Sequence, residues 1–367
     1  MKVLIFGGFT DYQIQLAGAL SKKGKIVKLM FPSNTLAHEH FLEVRDKKVD
    51  FLLVRRKPLY HPGNLLISKD VMKGMKAFKP DVVHLQVGIG IDLLYPLPFF
   101  RKYPLVSTFH DVRPHLGEEH RVNNFIRYLI RKSSDQIIVH GRKLKEIMIK
   151  EYNVHSNKVN VIPIGEHEVA PFKKYEREDL EGDRNLILFF GRIREYKGLE
   201  YLIRAEPKIT EEIPNTKIVI AGTGENFKKY EEMMVNRDNF VVHNYRIPYK
   251  EGAELFQRCS VVVLPYIDAS QSGVIPTAYG FRKPVVVTNV GAIPEIVDDG
   301  VTGFIVPPKN PEALADAIVK LLKDEKLRKQ MGENAYKKLK TDLSWDKIAE
   351  KTIEVYKKAI NEHKRGG

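Results

Sequence analysis

The chain contains one cysteine, Cys259, in 367 residues, so an intrachain disulfide is excluded. It lacks an apolar run of the roughly 18 residues that cross a bilayer, and its first residues include no hydrophobic stretch of signal-peptide length. Together these absences predict a cytoplasmic protein. Cys259 lies just before the short apolar run at residues 261–264, which favours a packing role for its thiol over a catalytic one.

Motifs for several cofactors and partners are missing as well. The first glycine turn, Gly7 and Gly8 in GGFTDY, lacks the GxGxxG fingerprint of dinucleotide-binding enzymes, which argues against an oxidoreductase. We find no Asp-x-Asp pair and no cluster of residues at a metal-ligand spacing. We therefore expect neither a dinucleotide cofactor nor a metal. No nucleic-acid recognition motif accompanies the positive charge, so nucleic acid is not an expected partner.

What the chain does contain is the length and alternation of a two-domain α/β protein. Its 367 residues exceed the size at which one core keeps growing. Apolar strands alternate with helices, a pattern typical of doubly wound parallel sheets. Strands are predicted at residues 3–6, 26–31, 51–55, 82–86, 105–109 and 136–140, and again at 186–190, 217–221, 240–243, 260–264 and 284–288.

The alternation breaks between residues 161 and 182, where VIPIGEHE leads into a charged stretch. We place the domain boundary there, with an N-terminal Rossmann-like domain at residues 1–165 and a second domain at 166–344. Two such domains are expected to hold ligands in a cleft between the carboxyl ends of their strands. Helices are predicted at residues 311–322, 325–339 and 345–362.

The segment GRIREYKG follows the strand predicted at residues 186–190 and begins with Gly191. It carries Arg192 and Lys197 at a strand-to-helix turn. A helix start offers unpaired N–H groups and a positive dipole end, and each charge-assisted hydrogen bond adds about 1.5 to 3 kcal/mol. The turn is therefore predicted to bind an anion such as a diphosphate. The alternative is that both cations are solvated surface charges.

A second turn of this kind occurs in SQSGVIPTAYG, where Pro276 suits the first turn of a helix. Two helix N-termini are thus expected to converge on one pyrophosphate. The residues expected to contact it are Ser272, Gly273, Val274 and Ile275.

In this order, these segments resemble the donor-binding half of glycosyltransferase family 4, the retaining nucleotide-sugar transferases with a GT-B fold. AGTGEN, GAIPEIVDDGVTGFIVPP, KPDVVHLQ and TFHD extend the resemblance over nearly the whole chain. It implies two Rossmann-like domains, of which the second binds a nucleotide sugar. The acceptor would be a hydroxyl of a glycan or lipid-linked molecule, as in polysaccharide biosynthesis. The C-terminal helix, residues 345–367, would cross back to the first domain.

The resemblance also implies roles for individual residues. Arg192 and Lys197 would bind the donor diphosphate and neutralise the charge that develops as it leaves. The glycine loops would lie along the donor, although Gly222 could also be a simple turn after a strand. Residues that match these loops and the position beside the base are Gly7, Gly8, Gly191, Gly222, Tyr245, Arg246 and Ile247.

The chain departs from the family at its pair of glutamates separated by seven residues. The matching positions are Ala269 and Thr277, so neither is a carboxylate. Asp268 adjoins the first position, Glu295 is a more remote candidate, and Thr277 offers the ribose only one hydroxyl. Because a retaining double displacement needs a carboxylate nucleophile, we favour a same-face mechanism and leave open whether Asp268 assists.

His110, at the end of a predicted strand, matches a family histidine near the transferred sugar. Its ordinary pKa of about 6.5 lets it donate or accept a proton at neutral pH. The alternative is a capping or core histidine. His115, with Glu118, could also meet the acceptor. Structural roles are favoured for His84, His115, His140 and His167.

The segment at residues 118–132, EEHRVNNFIRYLIRK, carries apolar side chains on one helical face and cations around the other. A basic amphipathic helix can lie on an anionic membrane, here at the inner face, whereas the alternative is a helix packed on its own sheet. Residues 1–170 hold 27 Lys and Arg against 16 Asp and Glu, which favours an anionic contact. The predicted apolar face consists of Val122, Phe125, Ile126, Leu129 and Ile130.

Two rival functions accompany this interpretation. One is a nucleotide-sugar epimerase of the same fold. The other is a peripheral membrane protein that binds a nucleotide sugar without turnover.

Overall fold

A computed structural model describes residues 1–32, 49–54, 65–88, 94–114, 121–166, 169–224 and 226–366. The chain divides into two compact units. Unit 1 comprises Met1–Pro163 together with Trp345–Gly367, and unit 2 comprises Ile164–Ser344. Each unit contains one parallel sheet flanked by helices. This confirms the predicted fold class of two Rossmann-like domains.

The described residues of unit 1 include seven strands and, before residue 164, five helices. The strands are β1 Lys2–Gly7, β2 Ile26–Pro32, β3 Asp50–Val54, β4 Val82–Val87, β5 Leu105–Phe109, β6 Gln136–Val139 and β7 Val159–Val161. The helices are α1 Thr10–Lys22, α2 Leu65–Phe78, α3 Leu97–Phe100, α4 Arg121–Ser133 and α5 Arg142–Lys150.

The strand order in unit 1 is β3-β2-β1-β4-β5-β6-β7, and every pairing is parallel. The chain order reverses between β1 and β4. At such a switch point the loops at the carboxyl ends of the two strands diverge to opposite faces and leave a crevice for ligands. The Gly7–Gly8 turn and the end of β4 lie at this place. All six residues of β4 are buried, including two polar ones.

Unit 2 contains a six-stranded sheet. Its strands are β8 Leu186–Phe190, β9 Lys217–Ala221, β10 Phe240–His243, β11 Val261–Leu264, β12 Val285–Thr288 and β13 Gly303–Val306. Its helices are α6 Val169–Lys173, α7 Leu199–Glu212, α8 Lys228–Glu231, α9 Tyr249–Arg258, α10 Val274–Gly280, α11 Pro311–Lys323 and α12 Glu325–Thr341. The strand order is β10-β9-β8-β11-β12-β13, so the switch point lies between β8 and β11.

The last helix, α13 Trp345–Gly366, belongs to unit 1. It packs on α1 and on β4, β5 and β6. Buried side chains of α13 include Ile348 and Tyr356, and Lys23 at the end of α1 forms an ion pair with Glu350 at 2.9 Å. The amphipathic pattern of this segment therefore covers one face of the first sheet.

The structure adds two strands that the sequence pattern did not predict. Both β7 and β13 lie at sheet edges, with three and four residues. Short edge strands carry a weak hydrophobic signal because part of each is not buried. Residue 55, predicted to end the third strand, lies outside the described residues.

Candidate active site

The turn after β8 holds the first predicted anion site. Gly191 has a φ of 125°, a conformation that favours glycine, and its N–H donates to the Ala221 carbonyl at 2.9 Å. The chain then forms a 3₁₀ turn, Glu195–Lys197, and enters α7. Arg192 and Lys197 therefore lie on the connection between β8 and α7, at the switch point of unit 2.

Both cations contact tyrosine side chains. Nη2 of Arg192 donates to the Tyr196 hydroxyl at 2.8 Å. Nζ of Lys197 lies 3.7 Å from the ring centroid of Tyr266, a fully buried residue. A cation over a ring face is stabilised by about 0.5 to 2 kcal/mol. Neither tyrosine was predicted as a site residue from the sequence, although Tyr196 lies between the two motif cations.

The loop after β11 lies against the same turn. The N–H of Ile267 donates to the Tyr196 carbonyl at 2.9 Å. Gly198 has a φ of 62°, and a Cβ at this position would collide with the Pro265 carbonyl oxygen. Glycine at 198 therefore allows the loops from β8 and β11 to approach each other.

The glycine loop after β9 closes the other side of this turn. A Cβ on Gly222 would collide with the Gly191 carbonyl, and one on Gly224 would collide with Ile193. These glycines thus permit backbone contact between two loops, which is more than a simple turn requires. Glu225 lies outside the described residues.

The segment between β11 and α10 lies near the turn that follows β8. Gly273 is its N-cap residue, and the N–H of Val274 lies 3.3 Å from Oγ of Ser272. A Cβ on Gly191 would lie 3.9 Å from the Val274 side chain, whereas Ile275 is buried. Because α10 has only seven residues, its dipole is small, and what it offers an anion is mainly backbone N–H groups.

The positions of the two missing carboxylates are both buried. Ala269 is apolar, and the Thr277 hydroxyl donates to the Gly273 carbonyl at 3.0 Å. That bond uses the hydroxyl hydrogen, so only the oxygen lone pairs remain for a ribose. Asp268 is half-buried, and its backbone N–H is directed at the 3₁₀ turn of the first motif. Glu295 is exposed.

A polar cluster follows the edge strand β10, next to the position expected for the base. The Tyr245 hydroxyl donates to Oε1 of Glu251 at 2.6 Å, and Nδ1 of His243 lies 2.6 Å from the same oxygen. The hydrogen bond to the Glu251 carboxylate raises the pKa of Tyr245. The Tyr245 ring is exposed, as is Arg246, while Ile247 is half-buried.

In unit 1, the backbone of the first glycine turn packs directly against the end of β4. Gly7 has a φ of 130°, and a Cβ there would collide with the Gln86 carbonyl. The same carbonyl accepts the N–H of Gly8 at 3.2 Å. Nε2 of Gln13 donates to the carbonyls of Gly7 and Gly8. The turn therefore lies at the switch point of unit 1, and Phe9 follows it with a φ of 58°.

His110 lies beneath that turn and is fully buried. Its Nε2 is 2.7 Å from Oε1 of Gln86, and its Nδ1 is 3.0 Å from Nε2 of His140. The Phe9 ring stacks on the imidazole at 3.8 Å, and Tyr12 meets it edge-on at 4.9 Å. Both nitrogens of His110 are thus engaged inside unit 1, a restraint that the sequence did not indicate.

His84 is a second buried histidine, and it is connected to His110 through the side chain of Gln86. Nε2 of His84 lies 2.7 Å from Oγ1 of Thr108 and 3.1 Å from Nε2 of Gln86. Its Nδ1 lies 2.7 Å from the Tyr356 hydroxyl. Burial lowers the pKa of His84 to about 3, so this imidazole is neutral. A sequence signal existed here, because VVHLQV alternates polar and apolar residues along a strand.

The helix α4 does not present the single apolar face expected from its sequence. Ile126 and Ile130 are buried, whereas Val122 and Phe125 are 44% and 57% exposed. The exposed residues continue one turn later with Tyr128, at 49%. Spacing by three places them along one stripe of the helix. Residues 115–120, with His115 and Glu118, lie outside the described residues, as does His167.

In the described parts of both units, no helix is long and apolar enough to cross a bilayer. The same residues contain no group of three or more His, Cys, Asp or Glu side chains that could hold a metal ion.

Two doubly wound parallel sheets, with cations and glycine loops at the switch point of the second, define a GT-B glycosyltransferase. The family described as Glycosyl transferases group 1 matches residues 172–338. The family described as Glycosyltransferase Family 4 matches residues 6–165. The chain belongs to these nucleotide-sugar-dependent glycosyltransferases, which confirms the family predicted from the sequence.

A sequence relative agrees with this assignment, and two solved structures share the fold. An uncharacterized glycosyltransferase of Methanocaldococcus jannaschii is 29% identical, over 83% of this chain and 84% of its own. The structure of sucrose-phosphate synthase from Thermosynechococcus elongatus covers 98% of this chain and 99% of its own, at 18% identity and a TM-score of 0.76. Anabaena HepE in complex with UDP-glucose covers 97% and 99%, at 18% identity and a TM-score of 0.73.

Proposed function

We propose that this glycosyltransferase moves a hexose from a nucleotide-diphosphate sugar to a hydroxyl of a glycan or lipid-linked acceptor, with retention of the anomeric configuration. The observation that carries the proposal is the arrangement of Arg192 and Lys197. Both contact tyrosines at the switch point of unit 2, and Gly191 of the same turn lies near Val274 at the start of α10. This combination suits a doubly charged leaving group.

The two cations act most strongly as the sugar leaves. When the bond between the anomeric carbon and the diphosphate oxygen breaks, negative charge grows on that oxygen. A guanidinium and an ammonium that are already in position stabilise this charge without reorganising. Because these two side chains stabilise the leaving diphosphate, we expect chelation of divalent metals to leave the rate of transfer unchanged.

A same-face reaction completes the proposal. The acceptor oxygen bonds to the anomeric carbon on the face from which the diphosphate departs, and the leaving diphosphate oxygen takes the acceptor's proton. The residues at the two family carboxylate positions, Ala269 and Thr277, support this route because neither can form a glycosyl ester. Asp268 remains the nearest candidate carboxylate in the sequence.

Incubation with nucleotide-diphosphate sugars and a lipid or glycan extract tests the transfer itself. UDP-glucose is a suitable first donor, because HepE was solved with it. We expect a glycosylated acceptor whose anomeric configuration, read by NMR, matches that of the donor. An inverted product would contradict retention, and an altered free sugar nucleotide without transfer would indicate an epimerase.

Substitution of Asp268 tests the same-face step. We expect Asp268→Asn and Asp268→Ala to retain turnover within about tenfold. Asp316→Ala is the control, since this exposed aspartate lies on α11. Loss of turnover in both Asp268 variants, with donor affinity preserved, would favour a mechanism through a carboxylate.

A membrane surface is the second part of the proposal. Val122, Phe125 and Tyr128 form an exposed apolar stripe on α4, and Arg121 and Lys132 are exposed at the two ends of the helix. Exposed aromatic and apolar side chains among cations suit the interface of an anionic bilayer. Contact there would bring unit 1 to a lipid-linked acceptor at the inner face of the membrane.

Vesicle flotation tests this contact. We expect binding to vesicles with 30% anionic lipid and little binding to neutral vesicles. Phe125→Ser should reduce the bound fraction, whereas Val241→Ser, on an exposed strand residue of unit 2, should not. Equal binding of wild type and Phe125→Ser would contradict the proposal.

A further inference from the structure

A continuous row of buried hydrogen bonds crosses unit 1 beneath the Gly7–Gly8 turn. It joins side chains from the helix α13, from strand β4 and from the residues that directly follow β5 and β6, and it ends on a backbone carbonyl. Its successive heavy-atom distances are 2.7, 3.1, 2.7, 3.0 and 2.9 Å. The row runs through Tyr356, His84, Gln86, His110, His140 and the carbonyl of Ile162.

The ends of this row limit where hydrogens can sit. A carbonyl oxygen only accepts, so Nδ1 of His140 must carry a hydrogen for Ile162. A single hydrogen joins Nε2 of His140 to Nδ1 of His110. The remaining nitrogen of His110 faces the amide of Gln86, which has one donor end and one acceptor end. The direction of that amide therefore sets the hydrogen count of the histidine pair.

In the orientation of the structure, Oε1 of Gln86 faces His110 and Nε2 faces His84. Nε2 of His110 must then carry a hydrogen. The His110–His140 pair holds three hydrogens on four nitrogens, one more than two neutral imidazoles hold, and so carries one positive charge. His84 accepts at Nε2 from Gln86, so its single hydrogen lies on Nδ1 and is donated to Tyr356.

A rotation of the amide by 180° gives a second arrangement with every bond retained. Nε2 of Gln86 now donates to His110, and the His110–His140 pair holds two hydrogens and no charge. Oε1 of Gln86 now faces Nε2 of His84, and because two lone pairs at this distance repel each other, the hydrogen of His84 is favoured on Nε2. The Thr108 hydroxyl, 2.7 Å from the same nitrogen, fits either tautomer because it can donate or accept. Tyr356 then donates to Nδ1 of His84. The two arrangements differ by one proton on the pair and by the tautomer of a histidine that stays neutral.

We propose that Gln86 is a positioning residue whose amide rotation couples protonation of the His110–His140 pair to the tautomer of His84. Burial disfavours charge, so the neutral arrangement prevails at high pH and the charged one on acidification. Tyr12 of α1 contacts both imidazoles of the pair. Tyr356 of α13 contacts His84, the next histidine in the row. Asp111 follows His110 in the chain.

The two tyrosines do not supply a counter-charge for the extra proton. Burial raises the pKa of Tyr12 and the pKa of Tyr356, so both hydroxyls stay neutral at the pH values where histidines titrate. The amide of Gln86 is therefore the group in this row that can respond to proton uptake by turning. The link of this device to turnover rests on the proposed role of His110, but the device itself does not.

Nitrogen-15 spectra of the imidazole side chains test the coupling without any substrate. The full chain is labelled at histidine, titrated across the range in which circular dichroism shows it folded, and assigned by single substitutions. In wild type, we expect the hydrogen of His84 to move from Nε2 to Nδ1 at the same midpoint at which the His110–His140 pair gains a proton. An unchanged His84 tautomer across this range would overturn the proposal.

Two substitutions at position 86 make the test specific. Gln86→Met keeps the volume but removes the amide, so the His84 tautomer should no longer follow the pair. Gln86→Glu can only accept, so His110 should stay doubly protonated to higher pH than in wild type. A coupled change that persists in Gln86→Met would overturn the proposal. Gln330→Met, at an exposed position, is the control.

Turnover provides a separate readout. If His110 serves the transfer, the pH profile of kcat/KM should contain a limb at the midpoint seen in the spectra. In Gln86→Met, that limb should move to the midpoint that the spectra of this variant give for the pair. If the protein shows no transfer, the spectra still decide the coupling. Failure of the proposed function and failure of this inference are therefore distinguishable.

Discussion

The ammonium nitrogen of Lys197 lies 3.7 Å from the centroid of the Tyr266 ring. Lys197 precedes α7, whereas Tyr266 follows β11, so the contact joins the two loops that flank the switch point of unit 2. A ring face is a neutral neighbour. The contact therefore orients the ammonium without cancelling the charge that an anionic ligand would meet.

Removal of the Tyr266 ring should weaken donor binding. A cation–π contact of about 0.5 to 2 kcal/mol corresponds to about twofold to thirtyfold in affinity, so we expect a loss of this size in Tyr266→Leu. Tyr266→Phe keeps the ring and should bind nearly as wild type. Calorimetry with a nucleoside diphosphate measures the effect. Tyr279→Leu, in the same core, controls for lost stability, and equal losses in both Leu variants would contradict the orienting role.

Loss of either motif cation should slow turnover. We expect Arg192→Ala and Lys197→Ala each to reduce kcat at least tenfold, because about 1.4 kcal/mol of transition-state stabilisation corresponds to that factor. Steady-state rates with a saturating donor measure the change. Arg204→Ala, which removes an exposed cation from α7, is the control. Near-native rates in both motif variants would refute their assigned role.

A side chain at position 198 should destabilise unit 2. Gly198→Ala places a Cβ against the Pro265 carbonyl in a left-handed conformation, whereas Gly300→Ala meets the same backbone cost in open space, at a φ of 73°. The backbone term is about 1 to 2 kcal/mol, and overpacking adds about 1 to 3 kcal/mol. The urea unfolding midpoint of Gly198→Ala should therefore be lower than that of Gly300→Ala. Equal midpoints would contradict the close approach of the two loops.

The buried thiol should make stability depend on alkaline pH. Burial raises the pKa of Cys259 to about 11, from about 9 when exposed. Because the unfolded chain loses this proton first, the contribution of the neutral thiol is complete below pH 9 and disappears as the pH rises to 11. At about 1.4 kcal/mol per pKa unit, the change is about 3 kcal/mol.

Cys259→Ala isolates this effect, because all other titrating groups are shared with wild type. The free energy of unfolding of wild type should fall toward, or below, that of the variant between pH 9 and 11. Parallel curves for the two proteins would show that the thiol does not titrate on unfolding.

Much of the fold followed from local patterns. The apolar strands of both sheets and the helices from residue 311 onward were predicted close to their observed bounds, because buried parallel strands form continuous apolar runs. The short edge strands β7 and β13 were not predicted. These strands form because they pair with a neighbouring strand, and a short segment of sequence carries no information about that neighbour.

The site divides in the same way. The cations Arg192 and Lys197 were recognised because glycines and a preceding strand marked their turn. The rings that orient them were not, since Tyr266 lies about 70 residues further along the chain and reaches Lys197 only when β8 and β11 pair. The exposure of Val122 and Phe125 was likewise unexpected, because helical periodicity cannot tell which side of an apolar stripe meets the sheet.

Residue types and their spacing were enough to assign this chain to its family, to its class of fold and to an anion-binding turn, since those properties depend on short segments. The hydrogen-bonded row from Tyr356 to His140 could come only from folding. It assembles groups from one strand, from the ends of two others and from the last helix. A buried imidazole takes its proton state from those neighbours rather than from its place in the sequence.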